Sequence, residues 1–333
     1  MGVHANISFF IPHLGCPHRC SFCNQCSITG QTSLTKSEDI KKAVEIAVCG
    51  KKYSPDNTEI AFFGGSFTAI DREYMISLLE AAYPFVKEKI VKGIRVSTRP
   101  DAIDSEVLLL LKKYGVTAIE LGAQSMDEEV LLLNERGHGV KDVINASSLI
   151  KEYGFSLGLQ MMTGLYGATD ESDRKTVEEF IKISPDTVRI YPTVVLYGTK
   201  LCEYVQKGEY IPESIEKAVK NCCEYIGLFE EKGINVIRVG LHHIDEASYV
   251  AGPWHPAFSE LCMSEMFFKE VSKELNLLGE GNYKIYVNEK YISAAVGQKR
   301  INIEKLKELS FNCRIKGDKE LKEKEFRIER DVK

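Results

Sequence analysis

The sequence predicts an α/β fold built on a parallel β-sheet. Short apolar runs rich in β-branched and aromatic residues alternate with longer amphipathic stretches, and this strand–helix order repeats six times. The strand-like runs are nearly continuous in apolar residues, which indicates that the sheet is covered on both faces. Periodicity alone leaves open whether such a sheet forms a closed barrel, a partial barrel or an open doubly wound sheet.

Six runs account for the predicted strands in chain order. They span residues 6–11, 59–64, 94–99, 118–123, 157–162 and 187–195. The stretches at 36–48, 105–115 and 141–154 predict helices, several of which end at a glycine, as helix C-termini favour. A further helix is predicted over 215–233, followed by a strand-like run at 235–243. In such folds the chemistry lies at the carboxyl ends of the strands, where this chain carries Gly, Cys, Arg, Gln and Glu.

The composition is that of a soluble globular protein. Of the 333 residues, 44% are apolar and 27% are charged, with 43 Lys and Arg against 48 Asp and Glu. This balance excludes disorder as the main state, and no window approaches the ~18–20 uncharged apolar residues of a membrane span. The N-terminus lacks the pattern of a signal peptide, so we expect a cytoplasmic protein without a membrane partner. Because the chain is slightly acidic, any RNA contact must come from a local basic patch.

The ten cysteines of a chain expected in the cytoplasm indicate metal-binding or catalytic thiols rather than disulfides. Cys16, Cys20 and Cys23 form a C-x3-C-x2-C motif after the first strand, and Cys26 follows three residues later. Thiolates this close in one loop can converge on one inorganic centre. Structural zinc, with Cys26 or His18 as a further ligand, is the alternative, although the chain has no second cysteine pair at this spacing.

The cysteine motif, with the aromatic Phe22 directly before its third cysteine, resembles that of the radical S-adenosylmethionine (SAM) superfamily. The resemblance implies a radical SAM enzyme with a partial parallel (β/α)6 barrel. Three thiolates, here Cys16, Cys20 and Cys23, would hold a [4Fe-4S] cluster, and the amino and carboxylate groups of SAM would bind the remaining iron. A reductant such as ferredoxin or flavodoxin would supply an electron, and SAM would be cleaved to a 5′-deoxyadenosyl radical that removes a hydrogen atom from the substrate.

The resemblance also implies cofactor-binding residues at the strand ends. Gly64 and Gly65 follow the second strand, where the family's Gly-Gly motif lets backbone atoms approach the methionyl amino group of SAM. The next residue is Ser66, where family members often carry Glu. The other residues implied at the cofactor site are Phe22, Ser97, Arg99, Gln124, Arg136 and Gln160.

These residues have different expected roles. Ser97 and Arg99 would lie near the SAM ribose and carboxylate. Gln124 and Arg136 would contact SAM or the substrate, and Gln160 would face the cavity. The alternative for the two arginines is a surface ion pair, which contributes little energy. Three histidines are expected to be packed or capping residues rather than ligands, namely His138, His242 and His243.

Residues 4–265 are most similar to the radical-SAM part of the Elongator catalytic subunit and its bacterial relatives. The similarity rests on runs such as STRPDAI, LGAQSMDEEVL and RIYPTVVLYGTKL. In that family an acetyl-CoA-derived group is added to the wobble uridine of tRNA with the help of an acetyltransferase domain. This chain is expected to lack that domain, so the resemblance implies an RNA substrate, with tRNA as the expected RNA, without naming the modification or a catalytic side chain. The alternatives are a small-molecule substrate such as a tetrapyrrole, or a non-catalytic metal-bearing RNA-binding module.

A boundary near residue 280 is predicted to separate a core of residues 1–280 from a small α+β appendage at 281–333. The appendage has a predicted strand–helix–helix–strand order that resembles a K-homology (KH) RNA-binding unit. Its inter-helix tetrapeptide, Gly297-Gln298-Lys299-Arg300, departs from the family's G-x-x-G. A Lys-Arg pair at a helix N-terminus can still bind phosphate. The alternative is a helical hairpin with both side chains merely solvated.

Overall fold

The computed structural model describes residues 5–11, 16, 20–24, 34–51, 53–241 and 244–331. The chain divides into two compact units. The first contains Met1–Glu213 and Leu228–Pro253, and the second contains Ser214–Gly227 and Trp254–Lys333. No helix among the described residues is both long and apolar enough to cross a membrane.

The first unit is built on a seven-stranded parallel sheet, which confirms the predicted α/β partial barrel. Its strands are β1 (Ala5–Phe10), β2 (Thr58–Phe63), β3 (Gly93–Thr98), β4 (Val116–Gln124), β5 (Ser156–Thr163), β6 (Thr187–Pro192), β7 (Val195–Leu196), β8 (Asn235–Val239) and β9 (Tyr249–Ala251). The order in the sheet is β1-β2-β3-β4-β5-β6-β8, and β1 and β8 are its two edges. A separate antiparallel pair joins β7 and β9. The strand β8 confirms the strand-like run predicted at 235–243 and is the seventh strand of the sheet.

The helices of the chain up to residue 231 follow the sheet strands as crossovers. They are α1 (Ser37–Val48), α2 (Arg72–Lys87), α3 (Ser105–Lys113), α4 (Glu128–Leu133), α5 (Val140–Glu152), α6 (Asp170–Ile183), α7 (Lys200–Gln206) and α8 (Ile215–Glu231). Aspartates cap three of these helices, since Asp71, Asp104 and Asp127 accept hydrogen bonds from backbone N–H groups of the first turn. Such caps satisfy donors that the helix itself leaves free, and they fix where each helix begins.

The sheet has one apolar and one polar face, because side chains alternate along each strand. The apolar face is at most 1% exposed and consists of Ile60, Phe62, Ile94, Val96, Ile119, Leu121, Leu157, Leu159, Val188 and Ile190. The opposite face, which we call the lumen face, carries Glu59, Arg95, Glu120, Gln160 and Arg189. The sheet is therefore buried on both faces as predicted, but the second face contains ionised groups that the apolar runs did not indicate.

The second unit surrounds a three-stranded sheet. Its further elements are α9 (Phe258–Leu278), β10 (Gly281–Val287), α10 (Ile292–Val296), α11 (Ile301–Glu308), β11 (Phe311–Gly317) and β12 (Phe326–Arg330). The sheet order is β11-β10-β12, with β11 parallel and β12 antiparallel to β10. The predicted strand–helix–helix–strand order is present, and β12 adds a third strand.

The boundary predicted near residue 280 falls inside this second unit. Phe267, Val271 and Leu275 of α9 belong to the same buried cluster as Tyr283 and Ile285 of β10. The glycines and asparagine near residue 280 end a helix rather than a unit, which explains the difference from the sequence expectation. The division of the chain into domains that fold separately stays a prediction.

Candidate active site

The loop that carries the cysteine motif is anchored by a buried serine–asparagine pair. Ser21 is fully buried, and its Oγ donates to Asn134 Oδ1 at 2.7 Å while its backbone N–H donates to the Asn134 carbonyl at 3.2 Å. The Leu201 N–H donates to the Ser21 carbonyl at 2.8 Å. Asn134 Nδ2 in turn donates to the carbonyls of Val130 at 2.8 Å and Tyr166 at 2.9 Å. The segment after Cys20 is thus bonded to two distant parts of the chain, at Asn134 and at Leu201.

The three cysteines of the motif are half-buried, and none of them forms a disulfide among the described residues. Cys16 Sγ lies 3.7 Å from Ser66 Oγ, and Cys20 Sγ accepts a hydrogen bond from Arg136 Nη1 at 3.0 Å. The Cys23 N–H donates to the Cys20 carbonyl at 3.1 Å, so these two residues share a turn. Among the described residues, no three His, Cys, Asp or Glu side chains form a group that could hold a metal ion. The role of the cysteines as ligands therefore stays a prediction. Cys26, His18, His242 and His243 lie outside the described residues.

Two glycines provide open backbone beside the cysteine loop. Gly64 and Gly65 follow β2 with φ angles of +76° and +42°, a left-handed conformation that favours glycine. A Cβ at Gly64 would lie 3.4 Å from the backbone N and O of Ile11, which itself donates to the Phe63 carbonyl. Ser66 is 2% exposed and directly follows them. Half-buried thiols are suitable ligands for an iron–sulfur cluster. The adjacent glycine backbone, which has no side chains, leaves room for the amino group of a ligand.

Arg136 connects the cysteine loop to the end of β4. Its guanidinium lies 5.9 Å from the Phe22 ring centroid and donates through Nη2 to the Gly122 carbonyl at 2.5 Å. Arg99 Nη2 donates to the Arg136 carbonyl at 3.0 Å, and Arg99 Nε contacts Asp101 at 2.5 Å. Both arginines are less than 10% exposed, so they are not the solvated surface pair considered as an alternative.

Gln124 and Arg136 each present a buried polar atom without a partner among the described residues, namely Gln124 Oε1 and Arg136 Nε. Gln124 ends β4 at a β-bulge with φ of +68°, and such bulges often re-aim side chains beside active sites. A Cβ at Gly122 would lie 2.9 Å from Gln124 Nε2. Because an unsatisfied buried polar atom costs about 1–3 kcal/mol, these atoms are suited to meeting a ligand.

Comparison with protein families decides the class of this site. A model of the radical SAM superfamily matches residues 10–180, just over half of the chain. The chain belongs to the radical SAM superfamily. A model of the Radical SAM C-terminal domain matches residues 185–267 in addition. The protein is therefore a radical SAM enzyme, and its family implies SAM and an iron–sulfur cluster as cofactors. The alternative of a non-catalytic module is set aside.

The similar proteins include tRNA-modifying enzymes by name. A tRNA uridine(34) acetyltransferase of Methanocaldococcus infernus is 31% identical over 185 residues, covering 50% of this chain and 35% of that protein. Elongator complex protein 3 of Homo sapiens is 34% identical over 178 residues, covering 47% of this chain and 32% of that protein. The chain thus spans about a third of the length of these two relatives.

A solved structure supports the fold. The archaeal Methanocaldococcus infernus Elp3 with an N-terminal deletion superposes with a TM-score of 0.62 at 23% identity. The match covers 82% of this chain and 64% of that one. At this level of identity the likeness establishes the architecture of the radical SAM core and not its substrate.

The lumen face of this radical SAM protein contains a buried charge network that the sequence interpretation missed. Glu120 accepts hydrogen bonds from Arg189 Nε at 2.7 Å and Nη2 at 2.9 Å, and from Arg95 Nη1 at 3.2 Å. Arg95 also pairs with Glu59 at 2.8 Å. Burial alone would raise the pKa of Glu120, but the charge and hydrogen bonds of Arg189 outweigh it and lower that pKa. Each of these residues is a charged interruption of an apolar strand, which was the available signal.

The predicted residues Ser97 and Gln160 join this network. Gln160 Nε2 donates to Glu120 Oε2 at 2.8 Å and lies 3.4 Å from Ser97 Oγ. The described contacts thus place these predicted site residues in three sets. Cys16 contacts Ser66, and Cys20, Phe22 and Arg99 each contact Arg136. Ser97 and Gln160 contact each other on the lumen face. The predicted tetrapeptide from Gly297 to Arg300 belongs to the other unit.

Stability should depend on pH through His138. Its side chain is 7% exposed with Nε2 3.3 Å from the Ala123 carbonyl, and burial together with Arg136 lowers its pKa to about 4. Asp101 opposes this shift, and Arg99 adds to it. The folded state therefore binds the proton more weakly than the unfolded state, whose His pKa is near 6.5, so acid favours unfolding.

We expect the wild-type protein to lose about 2 kcal/mol of unfolding free energy through His138 between pH 7.5 and pH 5. A His138→Gln variant keeps a donor toward Ala123 and should lose less over the same interval. Urea denaturation of both proteins at the two pH values measures the difference. Equal pH dependence of the unfolding free energy in the two proteins would contradict the role of His138 in acid destabilisation.

Proposed function

We propose that the protein holds a [4Fe-4S] cluster with Cys16, Cys20 and Cys23, cleaves SAM reductively and modifies RNA, specifically tRNA. The observation that carries the proposal is the contact of Cys16 with Ser66 and of Cys20 with Arg136 in a chain of the radical SAM superfamily. When bound, the cluster and SAM would supply an electron-driven cleavage that yields a 5′-deoxyadenosyl radical, with a ferredoxin or flavodoxin as the proposed reductant.

The residues around the thiols would bind and orient SAM. Gly64 and Gly65 leave backbone atoms accessible to the amino group of the methionyl part. Gln124 Oε1 and Arg136 Nε are two buried polar atoms without a partner among the described residues, and both lie on residues that the family resemblance assigns to SAM or substrate. Arg99 acts through Arg136, since its guanidinium is already engaged by Asp101 and by the Arg136 carbonyl.

Ser97 and Gln160 would contact the nucleoside part of SAM or the substrate from the lumen face. Their orientation is fixed by Glu120, because Gln160 Nε2 donates to that carboxylate and Ser97 lies beside the same amide. Phe22 would cover the site from the cysteine loop and help exclude water from the radical, since its half-buried ring lies 5.9 Å from the Arg136 guanidinium.

The substrate is proposed from the relatives and from the second unit. Two relatives are named as tRNA uridine(34) acetyltransferase and Elongator complex protein 3. In the second unit, Gln298, Lys299 and Arg300 are exposed, and the latter two have φ angles of +51° and +64°. Gly297 is buried with φ of +74°, and a Cβ there would lie 2.7 Å from Ile301 Cγ2. An exposed Lys-Arg turn before α11 suits contact with phosphate groups.

Anaerobic reconstitution tests the proposed function. The protein is loaded with iron and sulfide, reduced, and incubated with SAM and then with bulk tRNA. We expect 5′-deoxyadenosine on reduction and a new modified nucleoside in digested tRNA by mass spectrometry. SAM cleavage without any change in tRNA would contradict tRNA as the substrate. Loading with iron and sulfide without SAM cleavage would contradict the proposed reaction.

Replacement of Lys299 and Arg300 by alanine should weaken tRNA binding. Each phosphate contact contributes a slope of roughly 0.7–0.9 in log affinity against log salt, so the double variant should reduce the slope by about 1.4–1.8. Filter binding over a range of salt concentrations measures it. The matched control is Lys41→Ala with Lys42→Ala, an exposed pair on α1. An unchanged slope in the first variant, or an equal loss in the control, would contradict the predicted RNA contact.

A further inference from the structure

A β-bulge places an additional arginine on the lumen face at the edge of the sheet. The register between β6 and β8 pairs Val188 with Val236 but Arg189 with Arg238, so Ile237 is the inserted residue. In an uninterrupted ladder Ile237 would stand opposite Arg189, and Arg238 would point to the other face. The bulge therefore brings Arg238 beside Arg189, on the face that also carries Tyr191.

The charges on the sheet do not balance. The seven strands of the sheet are fully described, and their charged residues are Glu59, Arg95, Glu120, Arg189 and Arg238. The two glutamates hold Arg95 and Arg189 in ion pairs. Arg238 donates through Nε to the nearby Gly240 carbonyl at 3.2 Å, and among the described residues no carboxylate lies within ion-pair distance of it. One half-buried positive charge is left without a counter-charge.

Such a charge is costly, because burying an unpaired cation loses its hydration without an ion pair in return. Burial lowers the pKa of Arg238, in keeping with a poorly solvated guanidinium. Nothing in the fold requires the arginine, since an apolar residue on an edge strand would remove the penalty. Its charge is therefore suited to a ligand that carries a negative group.

Tyr191 supplies a second donor at the same place. It lies two residues after Arg189 on the same strand, so its side chain shares the lumen face with the Arg189 guanidinium. Burial raises the pKa of Tyr191, so the hydroxyl keeps its proton at neutral pH and has that proton to donate. An oxyanion beside Arg238 and Tyr191 would therefore meet a cation and a neutral donor, as such groups require.

We propose that Arg238 and Tyr191 form an anion-binding subsite on the lumen face that holds a phosphate or carboxylate group of the substrate. This inference rests on the proposed function, since it takes the lumen face as the substrate cavity. Arg238 shares a register layer with Arg189 and Gln160. The anionic group would therefore lie at the β8 edge, between this layer and the carboxyl ends of the strands, and would set the position of the reacting part of the substrate.

The experiment compares wild-type protein with Arg238→Met and Tyr191→Phe, with Arg174→Met on the exposed face of α6 as the matched control. Isothermal titration of the cluster-loaded protein with SAM present uses three probes, uridine 5′-monophosphate, uridine and succinate. We expect the phosphate probe to bind at least about tenfold more tightly than uridine, and Arg238→Met to abolish that difference. Tyr191→Phe should weaken binding by about threefold, and the control should bind as the wild type does.

Thermal unfolding separates recognition from a structural role. Removing an unpaired cation should leave the midpoint of Arg238→Met unchanged or raised, whereas a structural arginine would lower it. Tighter binding of succinate than of the phosphate probe, with the same dependence on Arg238, would identify a carboxylate as the group. Binding of neither anion, or equal binding by wild type and Arg238→Met, would overturn the subsite. SAM cleavage by the wild type, measured in parallel, tells whether the proposed function failed instead.

Discussion

Alanine at Cys16, Cys20 or Cys23 is expected to abolish iron–sulfur loading and SAM cleavage together. A [4Fe-4S] cluster with three protein thiolates has no spare ligand, so the loss of one thiol removes a third of the protein ligands that would hold it. Iron analysis after anaerobic reconstitution should fall from about four per chain to near zero, and 5′-deoxyadenosine should not form.

Cys49→Ala is the matched control for these variants, because Cys49 is an exposed free thiol at the end of α1. It should load iron and cleave SAM as the wild type does. Binding of about one zinc per chain, with no iron, would instead favour the structural zinc site. Retention of iron in any one of the three cysteine variants would remove that residue from the ligand set.

Replacement of Glu120 by alanine should destabilise the protein by about 3–5 kcal/mol, because it leaves two buried cations without their shared carboxylate. Glu120 is 1% exposed and receives hydrogen bonds from Arg189, Arg95 and Gln160. Urea denaturation at pH 7 measures the change. A loss below about 1 kcal/mol would contradict the view that the network is a single coupled unit.

Two variants sharpen the interpretation. Glu106→Ala breaks an exposed pair with Arg72 and should cost no more than about 1 kcal/mol. Glu120→Met combined with Arg189→Met should recover part of the loss, because removing both partners leaves fewer unpaired charges than removing one.

The lowered pKa of Glu120 also determines how the free energy of unfolding depends on pH. The stabilisation by ionised Glu120 is present above the ordinary carboxylate pKa and is lost as the pH falls through the lowered value.

The sequence predicted the parts of the site that short motifs encode. The spacing of the three cysteines and the adjacent Gly64–Gly65 are local patterns, and the strand ends that carry them follow from hydrophobic runs. The pairing of Ser21 with Asn134 joins residues 113 positions apart, so no local pattern contains it. Only the fold brings α4 against the cysteine loop.

The charged residues of the lumen face were only partly predictable from the sequence. Glu120 and Arg189 are visible as single charged residues in apolar strands, but periodicity does not say which strands are neighbours in register. The inserted Ile237 could not be predicted from the sequence, because a bulge depends on the partner strand and does not change the pattern of a run of apolar residues. The sequence therefore predicted the class of enzyme and not the cavity in which its substrate would lie.

The path of the chain has a consequence for dissecting this protein. Residues 214–227 belong to the second unit, yet the chain returns to the first unit for β8 before it reaches α9. Cys223 donates to the Cys262 carbonyl at 3.3 Å, so the early segment is bonded to residues that follow much later. No single truncation point separates the two units. A protein that ends at residue 253 would keep residues 214–227 without the rest of the second unit. Replacing the second unit would require exchanging both of its segments, 214–227 and 254–333, together.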